Sequence, residues 1–112
     1  MIWINNITED AIQQLTIKLD DGTTAQLNMK YLDGQQGWFY GLTYGTFELI
    51  NRRVVVGVNM LRAFRNIIPF GLACQTQDGQ EAIFQDDFSS GRASIYLLNP
   101  VDVAGVEQVL SA

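Results

Sequence analysis

The strongest constraint on the fold is the alternation of apolar and polar residues between Ala11 and Tyr31. Leu15, Ile17 and Leu19 alternate with Gln14, Thr16 and Lys18; after Asp20-Asp21-Gly22, Ala25, Leu27, Met29 and Tyr31 alternate with Gln26, Asn28 and Lys30. A period of two sends successive side chains to opposite faces of a strand, so each segment has one core face and one wet face. Asp and Gly between them supply the turn. The pair reads as an antiparallel hairpin, and the chain as mainly β.

Glycine-bearing turns continue the pattern. Asp33 to Gly37 forms a loop, Trp38 to Tyr44 an aromatic strand, Gly45-Thr46 a tight turn and Phe47 to Val56 the returning strand. A bulge or kink is expected at Arg52-Arg53, mid-run ahead of Val54-Val55-Val56. Met60, Leu61 and Phe64 then fall on one side at helical spacing with Asn59 as an N-cap, which predicts one or two helical turns over 59–65, stopped by Pro69. Leu72 to Gln77 reads as a strand, Asp78-Gly79 as its turn and Glu81 to Phe84 as its partner. Ala93 to Leu98 is expected as the last, interior strand, ended by Pro100. From Val101 to Leu110, Val103, Val106, Val109 and Leu110 recur at roughly helical intervals, while Gly105 and the valines weaken a helix. Helix and extended arm both stay open. The expected architecture is a small antiparallel β-barrel or sandwich, one domain over 1–112, with 1–10 and 100–112 as candidate terminal arms.

Composition narrows the chemistry. A chain of 112 residues, 47% of them hydrophobic, holds one core and folds unaided. It contains no histidine, which removes Ser-His-Asp and Cys-His catalysis and most zinc sites together. A net charge of -5 makes the electrostatic term that dominates nucleic-acid binding repulsive on average, so no nucleic-acid partner is expected. The single cysteine, Cys74, closes no internal disulfide and fits a reducing compartment. Lying in an apolar strand, it reads as a buried small hydrophobe. No segment approaches the roughly eighteen apolar residues of a membrane helix, and the start lacks a positive n-region. An intracellular, soluble chain with no membrane partner is expected. Phosphate-binding glycine loops, nucleophile elbows and calcium loops are absent from the sequence. No catalytic, cofactor-binding or metal-ligating residue is therefore assigned.

Four features remain as candidates. Tyr31, Trp38, Phe39, Tyr40, Tyr44 and Phe47 suggest a stacking platform, but no basic residue lies between Tyr31 and Phe47, and cross-strand packing is favoured. Asp20-Asp21 and Asp86-Asp87 invite a carboxylate-catalysis reading, yet adjacent acids are ordinary turn formers. Arg52, Arg53, Arg62 and Arg65 put four of seven positive charges within fourteen residues. Against a solvated face stands a contact patch for an acidic partner, since arginine is enriched at interfaces and pairs bidentately with carboxylates. Trp3 and Ile4, with Ile2 and Ile7, form an apolar start that either adds a strand to a neighbour or closes the domain's own core. Only 17% of residues are charged, against about a quarter in ordinary domains, which suggests a partly covered surface.

Three stretches carry a family resemblance: Tyr31-Leu32-Asp33-Gly34-Gln35-Gln36-Gly37-Trp38-Phe39-Tyr40-Gly41-Leu42, Val54-Val55-Val56-Gly57-Val58-Asn59-Met60-Leu61 and Phe70-Gly71-Leu72-Ala73-Cys74. A patterned hairpin, an aromatic strand opening with tryptophan, a valine-rich strand ending in Gly-x-x-x-Leu and a final Tyr-Leu-Leu strand resemble, in that order, the small plug-type proteins of phage tail baseplates. The resemblance runs from about Leu15 to Leu98 and does not reach Met1 to Asp10 or the tail after Pro100. It implies a non-enzymatic virion component of the tail baseplate, made in the host bacterial cytoplasm. Its partners would be other tail proteins of the hub or tube, and it would form a homo-oligomer, a ring or trimer repeated about the tail axis. No catalytic residue carries over. The alternative is a stand-alone binding module that holds an apolar ligand or peptide against Trp38, Tyr40 and Tyr44.

Overall fold

The alternation of the first half is realised as a meander of four strands. The computed structural model describes residues 1–110. β2 (Ile12–Lys18), β3 (Thr24–Leu32), β4 (Gly37–Tyr44) and β5 (Phe47–Arg53) pair antiparallel in that order, behind a short first strand, β1 (Ile2–Ile4). Register follows the apolar pattern: Leu15 faces Leu27, Leu27 faces Leu42, Met29 faces Tyr40 and Tyr31 faces Trp38. A one-residue slip would turn this entire set to solvent, which is why the pattern specifies the pairing. Gly22 closes the first turn at φ 87°, a left-handed backbone that glycine adopts without steric cost.

β5 carries the expected irregularity, at Ile50-Asn51 rather than at Arg52-Arg53. Tyr40 pairs with Arg52 and Leu42 with Leu49, so Ile50 and Asn51 stand opposite Gly41 alone. Asn51 takes φ 52°, the left-handed conformation that asparagine tolerates better than the flanking isoleucine or arginine. The strand ends at Arg53 rather than running on to Val56. Val54 turns its side chain into the core, and the chain crosses to a second sheet, where Gly57 bridges Cys74.

That second sheet consists of β6 (Gly71–Thr76) and β7 (Ala93–Leu98) with β1, in the order β1-β7-β6. β7 is thus interior, as its unbroken apolar run predicts. Glu81 to Phe84 does not pair with β6, which takes β7 instead. The carbonyls of that segment are engaged by side chains: Arg92 donates to Glu81, Tyr31 to Ile83 and Trp38 to Phe84. Those bonds hold it as an irregular loop across the end of the larger sheet.

Both sheets contribute to one core. Leu27, Trp38 and Leu42 of one sheet and Leu72 and Ile95 of the other are all but sealed from solvent, together with Leu61 and Phe70 of the connection. The two sheets remain separate, so no barrel closes. The helical expectation over 59–65 shrinks to a single 3-10 turn, Arg62–Phe64. The Asn59 carboxamide oxygen accepts from the N–H of Leu61 at 3.0 Å, as a cap would, and is shared with the N–H of Leu72, in β6, at 3.2 Å.

The tail forms α1 (Pro100–Leu110), which resolves the choice between helix and arm. Asn99 and Asp102 make a reciprocal cap: the Asn99 side chain accepts from the Asp102 N–H at 2.8 Å and the Asp102 carboxylate from the Asn99 N–H at 3.1 Å. Pro100 opens the helix where its missing N–H costs nothing. The last two positions of the expected 100–112 arm lie outside the described residues. No helix among those described is long and apolar enough to cross a membrane.

Candidate protein interaction surface

The connection between the sheets places two of the four arginines, Arg62 and Arg65, and Asn59 is its clamp. β6 would otherwise be an open edge. Instead Gly57 exchanges two backbone hydrogen bonds with Cys74, Met60 N–H donates to Leu72, and the Asn59 carboxamide takes the Leu72 N–H as a strand carbonyl would. Gly71 lies directly beneath: a Cβ there would fall 2.5 Å from Asn59 Oδ1. With 57–60 fixed on β6, the 3-10 turn projects Arg62 and Arg65 to the surface and lays Phe64 edge-on to Phe47, with ring centres 5.3 Å apart.

The arginines then divide into two pairs by their partners. Arg62 and Arg65 both meet Glu107 of α1, through Nε at 2.7 Å and 3.0 Å. The Arg62 hydrogen bond, with the charge of both guanidiniums, holds the Glu107 carboxyl below its usual range. Arg52 lies over the Phe64 ring at 5.3 Å, and Arg53 over the Phe39 ring at 5.4 Å. Arg53 also donates to the carbonyls of Gln35 and Gln36, a position that only glycine at 37 leaves open. Among the described residues neither Arg52 nor Arg53 has a carboxylate within ion-pair distance. Adjacent strand residues point to opposite faces. Accordingly Arg52 joins the surface of Arg62 and Arg65, and Arg53 belongs to the outer face of the meander.

Trp3 and Ile4 sit on β1, which pairs with β7 of its own chain. Ile4 packs against the core and Ile7 is buried within it, so the amino-terminal segment closes this domain. Trp3, opposite Tyr96, keeps 53% of its surface exposed. Ile12 and Ile50, on the two edge strands of the meander, are also exposed, as are Val58, Val101 and Val109 around the carboxy-terminal helix.

The remaining candidates have structural partners. The aromatic residues engage one another: Trp38 packs edge-on to Tyr31 and Phe88, and Tyr44 to Phe70. Asp87, 2% exposed, accepts from the Phe84 N–H at 2.8 Å and from Arg92 at 2.9 Å, while Arg92 also reaches Asp78 at 3.2 Å. This link fastens the 78–92 loop. It was not legible in the sequence, where Arg92 is isolated and the two acids look like turn residues. Asp21 accepts from the Thr23 hydroxyl and N–H, which lower its pKa, and so serves the first turn. Burial pushes the Cys74 thiol up to about 12, so it stays protonated and inert. Among the described residues no three His, Cys, Asp or Glu side chains gather in a way that could hold a metal ion.

A family model described as "Cyanophage baseplate Pam3 plug gp18" matches residues 1–100. The match includes Met1 to Asp10, where the sequence resemblance did not reach, and covers all seven strands of both sheets. No curated protein matches the chain.

Proposed function

Since this chain belongs to the cyanophage baseplate plug family, we propose that it is a non-enzymatic structural subunit, held in the tail baseplate by contact with hub or tube proteins. The observation that carries this is the family match from Met1 through both sheets to Pro100. The surface chemistry supports it. Arg52 and Arg53 are exposed, stacked on aromatic rings and free of carboxylate partners among the described residues, which is how arginine is presented for an acidic neighbour. Trp3 is a half-exposed aromatic anchor beside Ile4 on a short edge strand. A subunit on the tail axis repeats around it, so the assembled form is a closed homo-oligomer. The chain is made in the bacterial cytoplasm and incorporated into the virion. Its contacts are with proteins, since an acidic chain repels nucleic acid on average.

Charge reversal tests the surface. Arg52→Glu with Arg53→Glu should leave the chain folded and weaken its capture of neighbouring baseplate proteins at least tenfold, as loss of interfacial charge pairs allows. Capture at the original strength would overturn this assignment.

A further inference from the structure

α1 covers half of the arginine surface without being packed into the body. None of its residues is buried, and Val101, Val109 and Leu110 are exposed. It leaves an unfilled apolar groove of about 380 Å³ against Met1, Val58 and Leu98. What fastens it is charge: Glu107 to Arg62 and Arg65, and Asp102 to the amino group of Met1 at 2.8 Å. All of these side chains are at least a quarter exposed. Exposed ion pairs hold weakly, and salt screens them. The helix is also a poor one by itself: eleven residues including four valines and Gly105 fall short of the length at which an isolated helix persists. The family match stops at residue 100, where α1 begins.

We propose that α1 is a displaceable cover: Glu107 stands where a carboxylate of an acidic partner segment docks, and partner binding at Arg62 and Arg65 lifts α1 from the body. The proposal rests on the arginine surface being a partner site. It adds that the unbound chain fills half of that site with its own acid. Release melts the helix, since the Asn99–Asp102 cap alone does not sustain eleven residues rich in valine, while β6 and β7 keep their pairing. Arg52, which makes no contact with Glu107 of ion-pair length, remains open in both states and gives an incoming acidic segment its first foothold.

The test uses the full chain and a ten-residue glutamate peptide as probe. Glu107→Gln should speed backbone amide exchange in 101–110 by roughly three- to tenfold, the range that exposed ion pairs allow, and tighten peptide binding by a similar factor. Amides of β6 and β7 should be unaffected. Arg62→Ala with Arg65→Ala should also loosen α1 but weaken peptide binding. Unchanged exchange in α1, or loosening of α1 without tighter peptide binding, would overturn the cover. Equal peptide binding by the double arginine variant would overturn the docking site. These readouts are separate from baseplate capture by the Arg52→Glu, Arg53→Glu chain, which bears on the functional assignment itself.

Discussion

Asn59 and Gly71 should behave as one energetic unit, and the coupling can be worked from their geometry. In Asn59→Ala the N–H groups of Leu61 and Leu72 lose their acceptor. An unsatisfied donor inside a protein costs about 1–3 kcal/mol. Removing the Asn59 Nδ2, itself buried without a partner, offsets part of that loss. A net destabilisation of about 3 kcal/mol is expected, or about 12 °C in melting temperature for a domain of this size. Gly71→Ala acts on the same bonds from below. Its Cβ would lie 2.5 Å from Asn59 Oδ1 and 2.8 Å from Cγ, so the carboxamide must leave. Gly71 does not have a left-handed backbone, so alanine there meets no conformational penalty and its cost is that of the displaced Asn59, again about 2–3 kcal/mol. In the double variant the alanine methyl enters space already vacated. The combined cost should then fall about 2 kcal/mol short of the sum, a coupling of the size seen between residues in contact. Urea unfolding of the four chains, followed by tryptophan fluorescence, measures it. Additive costs, or a Gly71→Ala chain within about 0.5 kcal/mol of the parent, would refute the clamp.

Two further outcomes follow from ionisation. Cys74 should resist aromatic disulfide reagents at pH 8 in the folded chain and react in urea, because burial raises its pKa from 9.0 to about 12; the stability it supports is present below pH 9 and declines above, and rapid native labelling would contradict the burial. Glu107 is lowered from 4.5 by the Arg62 hydrogen bond first, and Asp102 from 3.8 by the Met1 amino group first. Their hold on α1 is therefore complete above pH 4.5 and lost as pH falls through the depressed values, below 4.5 for Glu107 and below 3.8 for Asp102. Amide protection of 101–110 should fade in that acid range ahead of β6 and β7, and a helix that outlasts the strands in acid would exclude a charge-held α1.

The sequence by itself determined the elements whose logic is local. The hairpin of β2 and β3, the aromatic strand β4 and the interior position of β7 follow from side-chain period and turn chemistry, which act over a few residues. The same locality kept the tail ambiguous: Gly105 and the valines argue against a helix, and what decides for it is a cap formed by Asn99 and Asp102 with Pro100 at the first turn. Where side chains from distant segments compete for backbone groups, local pattern misled. Glu81 to Phe84 looks like a strand, but Tyr31 and Trp38 claim its carbonyls from about fifty residues away. Asn59 looks like a helix cap and serves as the edge of β6.

The arginine cluster shows the same division at the functional surface. Its existence was readable from four arginines on an acidic chain, which set a contact patch for an acidic partner against a solvated face. That Glu107 already occupies Arg62 and Arg65 while Arg52 and Arg53 stack on rings was decided only by the tertiary structure. Charge pairing depends on distance in space, and a separation of forty-five positions between Arg62 and Glu107 carries no periodic signal of it.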